Sequence, residues 1–372
     1  VFLLLGIGFI RFSNLIEPKN YTFITDFTVF WSASQIALTG HAADAYNSAA
    51  LDAVVKSVAP DQGGKPPGGW FYPPTFFLMI LPLGLLSYIQ AYLVFIVATV
   101  SSYAAVLQRI VRGGDALLAL AAFSGLWVNL LFSQNGFLTA SIAGAALLSL
   151  ERRPVLAGVF IGLLSIKPHL ALLFPLALIA ISAWRTFFTA ASVAAIFLLC
   201  SIATLGSDIF IAWLHSLTLA RTLLESAGGS GFLTVVPTVF GFLRLLGAPV
   251  MVSYIGHGMV ALLAMAALWR IWRCCDSWPL RGASFATATL LTSPYLLVYD
   301  LTWLALPIAF LAKLGIEKGW LRGEREVLVM AWAMPLVSIL IARKIPLQVG
   351  PLILIALLWL LLRRADFMKK PA

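Results

Sequence analysis

Charged residues are too scarce in this chain to cover a surface facing water. Only 11% of its 372 residues are Asp, Glu, Lys or Arg, and 61% are hydrophobic. A soluble domain carries about 25% charged residues. Apolar runs recur along the whole length, and mean hydropathy is +0.97, so the solvent that suits the chain is hydrocarbon. Within lipid, backbone N–H and C=O groups are satisfied only by helices or closed barrels. The runs lack the apolar-polar alternation of a barrel strand. The expected fold is therefore all-α: a polytopic transmembrane helix bundle of about eleven to thirteen spans.

The apolar runs predict helices near 1–16, 74–87, 88–110, 115–133, 136–150, 154–166, 168–184, 186–205, 233–247, 249–272, 281–297, 300–314, 326–342 and 345–363. Some are short enough to be re-entrant or strongly tilted. The opening run reaches Arg11 after too few residues to cross a core of about 30 Å. Either that helix continues past Arg11 or residues precede Val1. Ser133-Gln134-Asn135-Gly136 splits one long uncharged stretch, and Lys167-Pro168-His169 splits another. The residue before a proline is biased away from helix, so both are expected to be hairpin tips or helix breaks.

The net charge of +10 does not indicate nucleic-acid binding. Many basic residues lie beside apolar runs, as in Arg109 and Arg112, Arg152 and Arg153, Arg270 and Arg273, and Arg363 and Arg364. Lys and Arg anchor the cytoplasmic ends of spans in this way. The tail and the cluster from Lys313 to Arg325 point to the cytoplasm, but counting spans between all the basic clusters gives conflicting parity. Cys200, Cys274 and Cys275 form neither a disulfide framework nor a zinc spacing. The four histidines lack metal spacing, and there is no phosphate-binding glycine loop.

One domain over 1–372 is expected, with two long loops, 17–73 and 206–232. The first holds two amphipathic segments. From Phe27, apolar side chains recur at Phe30, Trp31, Ala37 and Leu38, with Gly40 as a stop. From Asn47, a good N-cap, they recur at Leu51, Val54, Val55 and Val58. Both are expected to be helices lying on the bilayer surface. A turn-rich stretch from Asp61 to Gly69 follows, and Trp70-Phe71-Tyr72-Pro73-Pro74 returns to the membrane.

Ionisable groups at membrane depth are costly, so each is a functional candidate. Asp26 begins the first amphipathic segment. It reads blandly as a helix cap and functionally as a partly desolvated general base. Lys167 and His169 flank Pro168. They read as a snorkelling cation at a helix end or as phosphate contacts beside freed backbone N–H groups. Asp300, with Tyr295 and Tyr299, reads as an interfacial carboxylate or as part of a sugar or phosphate site. Asp44 and Tyr46 suit a turn, and Gln134 and Asn135 a hairpin tip able to hydrogen-bond a sugar.

At these residues the sequence resembles glycosyltransferase family 87, membrane enzymes of the GT-C fold that use polyprenyl-phosphate sugars. The matching stretches run in family order. They are Asp26-Phe27 with Phe30-Trp31 and Gly40, Ala43-Asp44-Ala45-Tyr46, Tyr72-Pro73-Pro74, Pro82-Leu83 and Gln134-Asn135-Gly136. Leu156-Ala157-Gly158, Ile166-Lys167-Pro168, Ser293-Pro294-Tyr295 and Tyr299-Asp300 complete the series, which covers roughly 20–305. Ser133 stands where the pattern has Gly, and Tyr295 where it has His. His257 or His169 are candidates to replace that imidazole.

The resemblance implies Asp26 as catalytic base under the first loop, on the extracytoplasmic side of a bacterial inner membrane. It implies an inverting transfer of a hexose, often mannose, from a polyprenyl-phosphate donor to a glycolipid or glycan acceptor. Asp44, Tyr46, Tyr72, Gln134, Asn135, Lys167, His169, Tyr295, Tyr299 and Asp300 are the expected substrate contacts. No cofactor is indicated; a divalent metal is compatible with the chemistry, but no residue pattern points to one. The competing readings are a transporter or lipid flippase, which the broken helices fit, and a non-catalytic assembly subunit. The absence of internal repeats and the long amphipathic first loop speak against transport.

Overall fold

The structure, a computed structural model, describes residues 26–58, 69–227 and 231–369. The apolar opening at 1–16, the stretch 61–68 and the end of the basic tail from Lys370 lie outside the described residues. The described chain is helical throughout, with no strand, so the expected all-α polytopic bundle is what the sequence forms.

The first loop contains α1 (Asp26–Leu38), a 3-10 turn (Ala42–Tyr46) and α2 (Ser48–Val58). α1 stops where expected, with Gly40 at φ +86°, a left-handed conformation that glycine adopts without Cβ strain. Asn47 caps α2 through its Oδ1, which accepts the N–H groups of Ala49 (2.9 Å) and Ala50 (3.4 Å). α2 keeps the expected amphipathic form, burying Leu51 and Val55. α1 does not lie on a surface with a wet face. Phe27, Thr28, Val29, Phe30, Ser32, Ala33, Ser34, Ile36 and Ala37 are all buried. Its polar side chains are spent on protein: Ser34 donates to the Ile80 carbonyl (3.2 Å), Gln35 to that of Gly84 (2.5 Å) and Trp31 to that of Leu86 (3.1 Å).

α3 (Pro74–Ile80) and a 3-10 turn (Leu81–Leu85) lead to α4 (Tyr88–Ile110). α5 (Gly114–Ala122) and α6 (Ser124–Phe132) return, and α7 (Gly136–Ser149), α8 (Pro154–Leu163), α9 (Pro168–Ala171) and α10 (Phe174–Ala180) follow. α11 (Trp184–Leu205) precedes α12 (Asp208–Ser226), then α13 (Val239–Leu245) and α14 (Val250–Cys274). α15 (Trp278–Thr292), a 3-10 segment (Val298–Leu304), α16 (Ala305–Lys318), α17 (Glu324–Lys344) and α18 (Gly350–Lys369) complete the chain. Among the described residues, five helical stretches are long and apolar enough to cross a membrane alone: Tyr88–Ile110, Trp184–Leu205, Val250–Cys274, Val298–Lys318 and Glu324–Lys344. Pro74–Leu85, Gly136–Ser149, Pro154–Ile166 and Pro168–Ala180 are shorter apolar stretches. The second long loop is mostly helix, α12. Its Asp208 sits in the first turn, where a carboxylate suits the helix dipole, and Arg221 pairs with Glu225 one turn on at 2.7 Å.

The chain shuttles between two ends. α4 leaves one end at Tyr88, whose hydroxyl lies 2.9 Å from Thr28 Oγ1 beside Asp26, and reaches the other at Arg109. α7 leaves from Gly136 and arrives at Arg152 and Arg153. The 3-10 segment carrying Asp300 continues into α16, which arrives at Lys313 and Lys318. The far end is closed by a buried ion pair: Arg364 Nη1 donates to Glu324 Oε2 at 2.6 Å, with side chains 3% and 0% exposed. Arg364 Nη2 donates to the carbonyls of Leu314 (3.1 Å) and Gly319 (2.9 Å).

Small residues set the closest helix approach. Gly158 and Gly162, one turn apart on α8, face α11. A Cβ on Gly158 would lie 2.6 Å from Thr189 Cβ and 2.9 Å from the Thr186 carbonyl; one on Gly162 would lie 2.6 Å from Val193 Cβ and 2.9 Å from the Ala190 carbonyl. In lipid, association rests on such backbone approach rather than on hydrophobic burial. Gly162→Leu is expected to cost about 1–3 kcal/mol by overpacking and to lower the thermal unfolding midpoint in detergent. An unchanged midpoint would show that these helices are not held this close.

Candidate active site

Four chain interruptions meet at the end of the bundle where α1 begins. They are the start of α1, the turn 133–136, the break at Lys167 and the 3-10 segment 298–304. The turn 133–136 and the break at Lys167 have local causes. Ser133 caps α6 in the left-handed region at φ +52°, a conformation that costs a residue with a Cβ roughly 1 kcal/mol. This is the position where glycine was expected. Gly136 is required by crowding, because a Cβ there would lie 2.7 Å from the Tyr299 carbonyl oxygen and 2.7 Å from Asn129 Oδ1. Lys167 is pushed out of helix by Pro168, which opens α9.

The turn joins the charges. Gln134 Nε2 donates to Asp26 Oδ2 at 2.9 Å. Gln134 Oε1 accepts the Tyr72 hydroxyl at 2.8 Å and the Asn135 backbone N–H at 2.9 Å. The neighbouring Asn135 accepts from Lys167 Nζ at 3.2 Å. Lys167 donates a second hydrogen bond to Asp300 Oδ1 at 2.5 Å, with the two side chains 7% and 1% exposed. Asp300 Oδ2 accepts the Leu297 N–H at 3.2 Å, which ties the carboxylate to the start of its own 3-10 segment. The Tyr299 ring lies 4.9 Å from Lys167 Nζ, within cation–π range. Two buried nitrogens beside this cation, Asn135 Nδ2 and His169 Nε2, have no hydrogen-bond partner among the described residues.

Asp26 sits on an aromatic floor. Phe27, next to it, packs on Tyr88, Tyr92 and Phe95 at 5.8, 5.4 and 5.3 Å. Phe30 packs on Tyr72 and Phe76 at 5.3 and 5.1 Å. Desolvation by these neighbours raises the Asp26 carboxyl from 3.8 to about 6, against the opposing pull of Gln134 and of the Lys167 charge. Near neutral pH it is an ionised carboxylate of raised basicity, the state a general base needs.

Asp26, Tyr72, Gln134, Asn135, Lys167, Tyr299 and Asp300 thus form one connected constellation, with His169 electrostatically coupled to Lys167 and Asp300. Tyr46 stands behind it, its hydroxyl donating to the Tyr72 carbonyl at 2.6 Å. Asp44 and Tyr295 do not join these contacts. Asp44 is exposed on the 3-10 turn; Tyr295 is 41% exposed and lies toward Tyr254 on α14. His257, on α14, makes a 3.0 Å hydrogen bond with the Thr292 carbonyl. Sequence reasoning missed Asn129, whose Nδ2 donates to the Gln134 carbonyl at 3.1 Å. The signal was an Asn inside an apolar run, Leu126-Trp127-Val128-Asn129-Leu130-Leu131. Among the described residues, no three His, Cys, Asp or Glu side chains gather to hold a metal ion. A cavity of about 210 Å³ lies at the other end of α1, lined by Ala37, Gly40, Ala42, Thr204, Leu205, Gly206 and Asp208.

No curated protein and no solved structure matches the chain. The model of glycosyltransferase family 87 matches residues 70–294, more than half of the chain. The match takes in Tyr72, the turn 133–136, Lys167 and His169. Asp300 lies just past its end and Asp26 well before its start; both are joined to matched residues by hydrogen bonds, Asp26 to Gln134 and Asp300 to Lys167. The arrangement is a carboxylate of raised basicity beside a buried cation in a helical membrane bundle, and with that match the chain belongs to glycosyltransferase family 87.

Proposed function

We propose that this membrane glycosyltransferase moves a hexose, mannose-like, from a polyprenyl-phosphate donor to a hydroxyl of a glycolipid or glycan acceptor, with inversion. Asp26 takes the proton of the acceptor hydroxyl as its oxygen attacks the anomeric carbon. The bond from that carbon to the phosphate oxygen breaks, and the electron pair leaves with the polyprenyl phosphate. A phosphate is already a good leaving group, so positioning and charge stabilisation carry the catalysis. The prenyl chain lies among the spans, in lipid-facing surface that the apolar helices supply.

One observation carries this reading: the anion and the cation are held by adjacent residues of a single turn, Asp26 by Gln134 and Lys167 by Asn135. A base and a phosphate-binding cation a short distance apart are what an in-line displacement requires. The unpartnered nitrogens of Asn135 and His169 beside Lys167 supply further groups to meet phosphate oxygens. Family membership favours glycosyl transfer over transport.

Sidedness is supported by where the basic residues fall. Following the helices from the constellation, Arg109, Arg112, Arg152, Arg153, Arg270, Arg273, Lys313, Lys318, Arg322, Arg325 and Arg363 come to the opposite end, and Arg343 and Lys344, in the last turn of α17, come to the constellation's own end, so the excess of basic residues lies opposite. Arg270 pairs there with Asp366 at 2.6 Å, and Arg325 stacks on Trp320. Spans present Lys and Arg to the cytoplasm, so the constellation faces away from it. This is consistent with a bacterial inner-membrane enzyme whose donor is a lipid exposed on the outer leaflet.

Three outcomes are expected. Asp26→Asn lowers turnover with purified lipid donor by about 10²–10⁴-fold; turnover near wild type would remove the base assignment. Wild-type turnover at saturating substrate falls as pH drops through about 6, because Asp26 acts only when ionised and its pKa is raised to that value; a profile flat from pH 5 to 8 would contradict this. Lys167→Met alone leaves Asp300 unpaired and costs about 3–5 kcal/mol, so the informative variant is Lys167→Met with Asp300→Asn. That pair should melt nearer wild type while donor Kd rises on the order of tenfold or more. Unchanged donor affinity would remove the phosphate role.

A further inference from the structure

We propose that Gln134 is a positioning residue that holds the Asp26 carboxylate in register for proton abstraction, rather than a contact to the sugar. The proposal rests on the reading of Asp26 as the base. A glutamine side chain offers two N–H donors and two acceptor lone pairs, and three of these four are already engaged. Oε1 accepts both the Tyr72 hydroxyl and the Asn135 backbone N–H, and Nε2 donates to Asp26 Oδ2. Gln134 is 4% exposed, which leaves little of it for a ligand.

The amide orientation is fixed by its neighbours. Turning it over would point its NH2 at the Asn135 N–H, placing two donors face to face. Nε2 therefore has to face Asp26. The residue's own backbone is equally constrained. Its N–H donates to the Asn129 carbonyl (3.4 Å) and its carbonyl accepts from Asn129 Nδ2 (3.1 Å). It also sits between the left-handed Ser133 and the crowded Gly136. The hydrogen bond ties up Oδ2, and among the described residues Asp26 Oδ1 accepts no hydrogen bond. That oxygen is the one left for the acceptor hydroxyl.

The titratable and charged groups facing Asp26 are Lys167 before α9, Tyr72 before α3, and Tyr299 with Asp300 behind it on the 3-10 segment. Among the described residues, Tyr92 on α4 is a further titratable group at this turn, its hydroxyl 3.4 Å from Ser133 Oγ. The Gln134 N–H stabilises the ionised form of Asp26, so its removal moves the acid limb of the rate profile to higher pH.

The experiment measures kcat, KM and the pH dependence of kcat for Gln134→Leu and for the near-isosteric Gln134→Glu, each checked by thermal unfolding in detergent. Gln134→Leu is expected to lower kcat by about 10- to 100-fold through misplacement of the base, with KM for donor and acceptor held within about twofold. Its acid limb should move up. Gln134→Glu keeps the shape of the side chain, sets a second carboxyl against Asp26 and should move the acid limb further up. A raised KM with kcat intact would make Gln134 a sugar contact and overturn the proposal, as would a fall in kcat with the acid limb unmoved in Gln134→Glu. Failure of the base reading is separately visible, since Asp26→Asn would then turn over normally whatever Gln134 does.

Discussion

The buried ion pair between Lys167 and Asp300 is the constraint around which the rest is arranged. Taking two charges out of water costs several kcal/mol per ion, and their attraction repays that only with good geometry and further hydrogen bonds. Both are present: the contact is 2.5 Å, and each charge has a second partner, Asn135 for the lysine and the Leu297 N–H for the carboxylate. A pair of this kind adds little net stability. It fixes two chain breaks, 133 residues apart, against each other and keeps an ammonium group at membrane depth.

From that pair the constellation extends outward through neutral amides. Asn135 hands the geometry to Gln134, and Gln134 to Asp26. Asp26 and the Lys167 cation are thus set by one turn whose backbone is pinned by Asn129, by Ser133 in a left-handed conformation and by Gly136 at a point where no Cβ fits. The aromatic floor under Asp26 does the opposite work, withdrawing water and raising the carboxyl. The outcome is a carboxylate that is ionised near neutral pH yet more basic than an exposed aspartate. At the far end a second buried pair, Arg364 with Glu324, closes α16 to α18 without any group placed for chemistry.

Much of this was legible in the sequence. The run from Tyr88 to Gln108, without a charge, reads as a span, the Gly40 stop and the Asn47 cap lie where composition put them, and both polar interruptions are real breaks. The candidate residues were legible as costly polar groups in apolar surroundings. Their partners were not, because pairings such as Gln134 with Asp26, 108 residues apart, depend on which helices pack together. The same reason hid the burial of α1: its polar face looked wet until Ile80, Gly84 and Leu86 supplied carbonyls for it. α12 was hidden by its own charges, Asp208, His215, Arg221 and Glu225, which read as loop and serve instead as a helix start and an i,i+4 pair.

The central claim is that a lipid phosphate binds beside Lys167 with the anomeric carbon presented to Asp26. The most direct measurement is an experimental structure of the protein with a non-transferable polyprenyl-phosphate sugar bound. The account predicts the phosphate within hydrogen-bond distance of Lys167 and Asn135 Nδ2, and the sugar between it and Asp26 Oδ1. A phosphate bound elsewhere, with Lys167 still closed on Asp300 and Asp26 facing no sugar, would contradict it.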